Sequence, residues 1–554
     1  VVHLFPRGAK ASGSLRYIPA LTVARERLAC EMPRDRRFDG WTMTGIRGRV
    51  RSLSTFGCAA MLIASGALVA SGAHAATTAD PAFTPRLTFH TCPPKSKPTG
   101  VRCARLTVPL DWRSPQDGRT TTINVRIMRS PKSTGGLTFN PGGPGGSGID
   151  AFPSFYSLLP DEVVSEMDFV GWDPRGVAGS GPTIKGCEVA ESLPPATGPV
   201  DWKAFWQETA DAARVNNAAC LAANPDAAPY VGTWQVIRDL DALRVALGYS
   251  AWNYWGMSYG TRIGHAYAST FPGRVRTLVM DGSVMANESV YRFGTSFPAN
   301  YWMTLQMFPA LAAPSSARKM KVINEYLDSS VVTLPDGTQF TRWDFAEQLR
   351  FLLTSQSQYP GARALINNLY VGITASTAED RAASLEVVAA IATSLREVLD
   401  ESKKSAPVQV LVNCSDFGDR PTVEQLAIAS DPVSRNFGST LPAFMGNSSS
   451  CFGLSPEDLS PVLTNRARMI SLETPPVFVL SSGDAATPWV WGRSLANTFS
   501  GSRTITYDGT QHVAYLFVPS TCVNEPVTRY LLTRELPPRD LTCAYAPGGP
   551  SPLR

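Results

Sequence analysis

The chain has little charge, few histidines and no apolar run long enough to cross a bilayer. Charged residues make up 18% of the 554 and apolar ones 44%, which excludes a disordered chain and allows a sizeable core. The net charge of +5 does not amount to a basic surface. Residues 1–75 hold eleven Lys/Arg against four Asp/Glu, a surplus larger than the whole +5, so the remainder is slightly acidic and no nucleic-acid partner is expected. The apolar run Phe56–Val69 falls short of the roughly 20 residues a membrane helix needs and is rich in Ala, Gly and Ser, so no stable membrane anchor is expected. No CxxC pair or Cys/His cluster has zinc spacing, so no metal is expected. A P-loop ending and a dinucleotide glycine fingerprint are also missing, and no cofactor is implied. There are no internal repeats.

What is present begins with a leader. Arg47, Arg49 and Arg51 precede the apolar run, which gives way to small residues and Ala73-His74-Ala75, the layout of a secretory signal with an A-x-A cleavage site. The mature chain is therefore expected to be secreted or periplasmic after cleavage near Ala75. Cys58 lies inside the run and not at its end, which argues against a lipid anchor. Residues 1–42 lack such a pattern, so the signal is expected at about 43–75 with translation starting near Met43. Eight cysteines remain beyond the leader, an even number, as in exported proteins closed by disulfides. Spacing alone does not fix the pairing. Adjacency along the chain suggests Cys92–Cys103, Cys187–Cys220, Cys414–Cys451 and Cys522–Cys543.

From about residue 104, strand-like and helix-like runs alternate, the pattern of an α/β protein with a mostly parallel sheet flanked by helices. Strands are expected at Ile123–Met128, Leu137–Asn140, Asp168–Trp172, Trp252–Trp255, Val275–Met280, Val477–Leu480 and Thr504–Tyr507. The last four are short and rich in β-branched or aromatic residues, as central strands buried on both faces are. Val236, Leu240, Leu243 and Leu247 fall at helical spacing, predicting a helix over Gln235–Leu247. Residues 283–470 read mainly as helix and loop, for example Ala382–Leu399. The expected division is a sheet core at 88–282 and 471–547, interrupted by a helical cap at 283–470. The Pro/Gly/Ser-rich tail from Ala546 is expected to fray.

The chemistry starts at Gly256-Met257-Ser258-Tyr259-Gly260, a G-x-S-x-G directly after a predicted strand and before a helical run to Phe271. That is the strand–turn–helix setting of the α/β-hydrolase nucleophile elbow, in which glycines flank a serine on a turn too sharp for a β-carbon on either side. The base follows by elimination from five histidines. His3 and His74 lie in the leader, and His90 sits beside Cys92 ahead of the sheet. His265 is two helical turns past Ser258 on one helix, about 10 Å along the axis, beyond hydrogen-bond reach. His512 remains, in a loop after the terminal strand. The acid should lie between them in chain order at a strand end. Asp484, beyond Val477–Leu480, does so; Asp281, ending Val275–Met280, is the rival. The loop Asn140-Pro141-Gly142-Gly143-Pro144-Gly145-Gly146-Ser147-Gly148 is placed to supply an oxyanion-hole N–H from Gly143, with Tyr259 supplying the second.

These motifs together resemble the secreted tripeptidyl aminopeptidases, relatives of the prolyl aminopeptidases. The resemblance rests on the NPGGPGGSG loop, GWDPRG at Gly171–Gly176, the stretch from Asp239 through GMSYGT to FPGRV, D-x-x-T-P at Asp484–Pro488 and the terminal cysteine pair, and it spans about residues 88–547. It implies a cap over the sheet, removal of short peptides from free N-termini, and nucleophile, acid and base at Ser258, Asp484 and His512. One departure is Gln511, where many relatives have glycine before the histidine. An aminopeptidase needs a group for the substrate's α-ammonium, and Asp416 is the candidate, with Asp419 not distinguished from it by spacing. The same triad would serve a carboxylesterase or lipase, and a catalytically silent binding protein is the reading furthest from both. Ser258 excludes epoxide or haloalkane hydrolysis, which needs an aspartate at the nucleophile position.

Overall fold

Short runs rich in Val, Ile, Phe, Trp and Tyr become the middle of one ten-stranded sheet. The computed structural model describes residues 83–548, apart from 95, 190–191, 286–288 and 462–468. The signal expected at 43–75 lies outside the described residues. The strands are β1 (Arg86–His90), β2 (Arg102–Pro109), β3 (Thr120–Met128), β4 (Gly136–Asn140), β5 (Asp168–Trp172), β6 (Trp252–Met257), β7 (Val275–Asp281), β8 (Val332–Thr333), β9 (Gln339–Phe340), β10 (Val477–Ser481), β11 (Arg503–Tyr507) and β12 (Leu541–Cys543). β8 and β9 form a separate two-residue ladder; the others order as β1-β2-β3-β5-β4-β6-β7-β10-β11-β12. The β1, β2, β3 and β5 neighbours pair antiparallel and every later pair is parallel. Each of the seven expected strands is present. β1, β2 and β12 were not anticipated: β1 and β2 carry Arg, and β12 is only three residues long, at the sheet's edge.

This order is the α/β-hydrolase arrangement, and it decides where a site can form. After β4 the chain crosses to β5 on one side and then to β6 on the other, so the C-terminal ends of the neighbours β4 and β6 face a crevice at a topological switch point. β4, β5, β6 and β10 are buried throughout. Leu240, Leu243, Tyr254, Ile263 and Leu278 pack one face, and Phe139, Phe152, Trp255, Val479 and Val523 the other. Burying each such large apolar side chain contributes about 1.5–3 kcal/mol. The predicted helix at Gln235–Leu247 runs Thr233–Leu247 and stops at Gly248, whose left-handed φ of 79° closes the C-terminus.

Between β7 and β10 the described residues are helix and loop apart from β8 and β9, with helices at Val290–Ala312, Arg342–Leu353, Tyr359–Thr374, Ala378–Lys403, Ala406–Asp416 and Val423–Phe437 among others. This layer has its own core, including Tyr301, Phe308, Leu349, Ile366 and Leu426. One helix from outside 283–470 joins it. Trp202–Ala223, between β5 and β6 in the chain, sends Trp202, Phe205 and Trp206 into that core, and the Trp206 indole donates to Ser430 Oγ at 2.8 Å. The four disulfides are Cys92–Cys103, Cys187–Cys220, Cys414–Cys451 and Cys522–Cys543, the neighbouring couples that the chain order suggested.

Candidate active site

β6 ends at Met257, the next helix begins at Gly260, and Ser258 between them is held at φ 53°, a left-handed conformation rare for a residue with a side chain. The flanking glycines are required by contact. A β-carbon on Gly256 would come to 2.5 Å from Gly260 O, and one on Gly260 to 2.5 Å from Asn140 O. The elbow is tied down by the Ser258 N–H donating to Asp281 O at 3.0 Å and by Thr261 donating through N–H and hydroxyl to Ser258 O at 2.9 and 2.6 Å. The Ser258 hydroxyl makes no hydrogen bond to any described residue. In unliganded hydrolases such contacts commonly tighten only when substrate binds.

The loop after β4 lies directly against this turn. Gly142 has φ 97°, and a β-carbon there would meet Ser258 Cβ at 2.7 Å and Tyr259 N at 3.2 Å. The Gly142 N–H is spent on Asn140 Oδ1 at 3.0 Å, whereas the Gly143 N–H has no partner among the described residues. Asp173, at the end of β5, fastens the far end of the loop by accepting from Ser147 Oγ at 2.6 Å and Ile149 N at 3.0 Å. Burial pushes its carboxyl up to about 6 against these donors.

Asp484 and His512 are brought together. The turn beyond β10 buries Asp484 to 2% exposure; its Oδ1 accepts from Ala486 N at 2.8 Å and Thr487 N at 2.9 Å, and its Oδ2 from Thr487 Oγ1 at 2.8 Å. His512 Nδ1 lies 2.8 Å from the same Oδ2. With Nδ1–H directed at the carboxylate, Nε2 is the ring's acceptor. Burial of the ring opposes its charging, but the Asp484 charge and hydrogen bond, with a smaller contribution from Asp281, hold its pKa above the ordinary 6.5. The other two described histidines sit elsewhere. His265 is buried beside Thr498 Oγ1 at 3.4 Å with its pKa pushed down to about 4 by burial, and His90 ends β1, exposed.

Sequence reasoning missed what holds the base loop. His512 N–H donates to Thr354 O at 2.8 Å, from the turn after helix Arg342–Leu353. Gln511, the departure from the resembled pattern, uses its carboxamide oxygen to accept from Gln356 N at 2.9 Å and Ser355 Oγ at 3.2 Å, while its amide group donates to His512 O at 2.8 Å. A glycine there could make none of these bonds. Thr487 is the other residue overlooked, although it stood in the D-x-x-T-P stretch.

Asp416 is a correction. It is buried, and both carboxylate oxygens are committed. Oδ1 accepts from Thr233 N at 3.0 Å; Oδ2 accepts from Thr233 Oγ1 at 2.6 Å and Arg262 at 3.1 Å. Thr233 Oγ1 also meets the Tyr259 hydroxyl. A carboxylate already paired with a buried guanidinium is not available to a substrate ammonium, so Asp416 joins the helical layer to the nucleophile helix. Asp419 is likewise occupied, accepting from Val290 N and Tyr291 N at the start of a helix at 2.7 and 3.3 Å.

Residues 442–543 match the family model described as TAP-like protein. The chain is 30% identical over 478 residues to the serine protease Hip1 of Mycobacterium tuberculosis, covering 80% of this chain and 88% of that protein. It is 28% identical over 476 residues to the tripeptidyl aminopeptidase of Streptomyces lividans, covering 81% and 84%. Against carboxylesterase B of Mycobacterium tuberculosis the identity is 27% over 513 residues, covering 84% and 92%.

Proposed function

The chain belongs to the family of α/β-hydrolase serine peptidases that includes Hip1 and the tripeptidyl aminopeptidases, and from that premise we propose that it is an exported aminopeptidase releasing short peptides from free N-termini. Ser258 is the nucleophile, His512 the general base and Asp484 its orienting acid. The observation that carries these roles is the 2.8 Å contact between His512 Nδ1 and Asp484 Oδ2, in a sheet where only β7 separates the acid's strand β10 from β6, which leads to a serine on a left-handed elbow. His512 Nε2 accepts the Ser258 proton as Oγ attacks the scissile carbonyl. The resulting oxyanion is met by the N–H groups of Gly143 and Tyr259, each such donor contributing about 2.7–4 kcal/mol. Collapse expels the amine, protonated by His512, and leaves the peptide acylated on Ser258; a water activated by the same ring then releases it.

Export is supported by the signal-like leader and by four disulfides, which persist in oxidising compartments. Because Asp416 is committed to Arg262, recognition of the substrate amine falls to other groups of the cleft. A second reading, a carboxylesterase with the same triad, is favoured by the likeness to carboxylesterase B. Arylamine release from unblocked and N-acylated peptides, with residues 76–554 and a Ser258→Ala control, separates the two. Cleavage of only the unblocked substrates is expected; Ser258-dependent cleavage of simple esters with neither peptide touched would leave the esterase.

A further inference from the structure

Asp281 competed with Asp484 as the acid, and its carboxylate lies instead on the backbone just past the base. It is buried completely at the end of β7. Its Oδ1 accepts from Ala514 N and its Oδ2 from Tyr515 N, each at 2.9 Å. Its own main-chain oxygen accepts from Ser258 N at 3.0 Å. The next residue, Gly282, donates to Val479 O at 2.9 Å and turns at φ 61°, and a β-carbon on it would come to 3.2 Å from Cε1 and Nδ1 of His512. One dipeptide therefore touches the nucleophile elbow, the acid's strand and the base's ring.

The turn that Asp281 grips is strained. Val513 and Leu516 both have φ 64°, a left-handed conformation that disfavours side chains and most of all β-branched ones. Two such residues bracket the two N–H groups that the carboxylate holds, and strain of this kind persists only where surrounding bonds over-determine it. A carboxylate is also a costly group to bury unless its acceptors are needed. An asparagine would offer one oxygen and turn an N–H₂ toward the other N–H.

We infer that Asp281 is a positioning residue, whose carboxylate locks the strained turn after His512 while its main chain holds Ser258, so that one residue sets base against nucleophile. This rests on the roles proposed above for Ser258 and His512. The charged groups facing His512 are Asp484 from the turn after β10 and Asp281 from β7; the segment at 354–356 brings only Thr354, Ser355 and Gln356. Burial pushes the Asp281 carboxyl up to about 7, so it carries its charge above that pH, and removing the charge should lower the pH at which the base becomes protonated.

The test is Asp281→Asn in the full chain, with kcat, KM and the pH profile measured beside wild type and Ser258→Ala. A misplacement of the base predicts kcat lower by on the order of 100-fold. KM should change little, and the acid limb of kcat/KM should move to lower pH, a shift that loss of packing alone would not produce. Wild-type kcat and an unmoved limb, with Ser258→Ala inactive, would overturn the inference and leave the proposed triad standing; an active Ser258→Ala would remove the triad reading itself. Should Asp281→Asn not fold, hydrogen exchange of the wild type decides. Peptides covering 513–516 should exchange as slowly as β7, and exchange at the rate of surface loops would overturn the inference.

Discussion

At the scale of single residues, the site is a set of charges placed so that one imidazole can gain and lose a proton near neutral pH. Burial alone would keep His512 neutral; the Asp484 carboxylate, assisted by Asp281, outweighs it and raises the pKa above 6.5. With the neutral ring as the proposed base, kcat/KM should rise with pH as the imidazolium loses its proton, with the midpoint above 6.5. A profile already at its plateau well below that pH would contradict this. The proposed triad of Ser258, Asp484 and His512 could be assembled from the sequence because few histidines left one candidate and because the elbow's glycines have a purely local reason. Asp416 was misread for the opposite reason. Its partner Arg262 lies 154 residues away on another helix, and a carboxylate's availability depends on such a partner. Gln511 and Asp281 were opaque in the same way, since what they hold is backbone from distant segments.

At the scale of elements, adjacent parallel strands deliver the parts and the helical layer fixes them from above. The central strands could be read from short, mostly apolar runs, whereas β1 and β2, which carry Arg, and the three-residue edge strand β12 could not. The layer reaches the core at several points near the site. Thr354 and Gln356 hold the base loop, Ser405 packs on Gly145 of the loop after β4, and Asp416 pairs with Arg262 beneath the elbow. Asp416→Ala would take away the carboxylate that faces the buried Arg262 guanidinium, at a cost of about 3–5 kcal/mol. Thermal or denaturant unfolding should show that loss, with activity on esters and peptides falling together. An unchanged melting temperature with a raised KM confined to free-amine substrates would restore Asp416 as an ammonium site.

At the scale of the whole molecule, a ten-stranded sheet, a helical layer with a core of its own and four disulfides make up one serine hydrolase. The disulfides join cysteines near in sequence, which is why neighbouring couples were a sound guide to their pairing. No helix among the described residues is long and apolar enough to cross a membrane. On the proposed triad the chemistry rests on one hydroxyl, so the decisive measurement is where a serine-directed fluorophosphonate attaches. We predict a single adduct, mapped by mass spectrometry to the peptide containing Ser258, formed faster as pH rises and suppressed by His512→Ala. Labelling at another serine, or undiminished hydrolysis by a fully active Ser258→Ala protein, would show that the chemistry lies elsewhere.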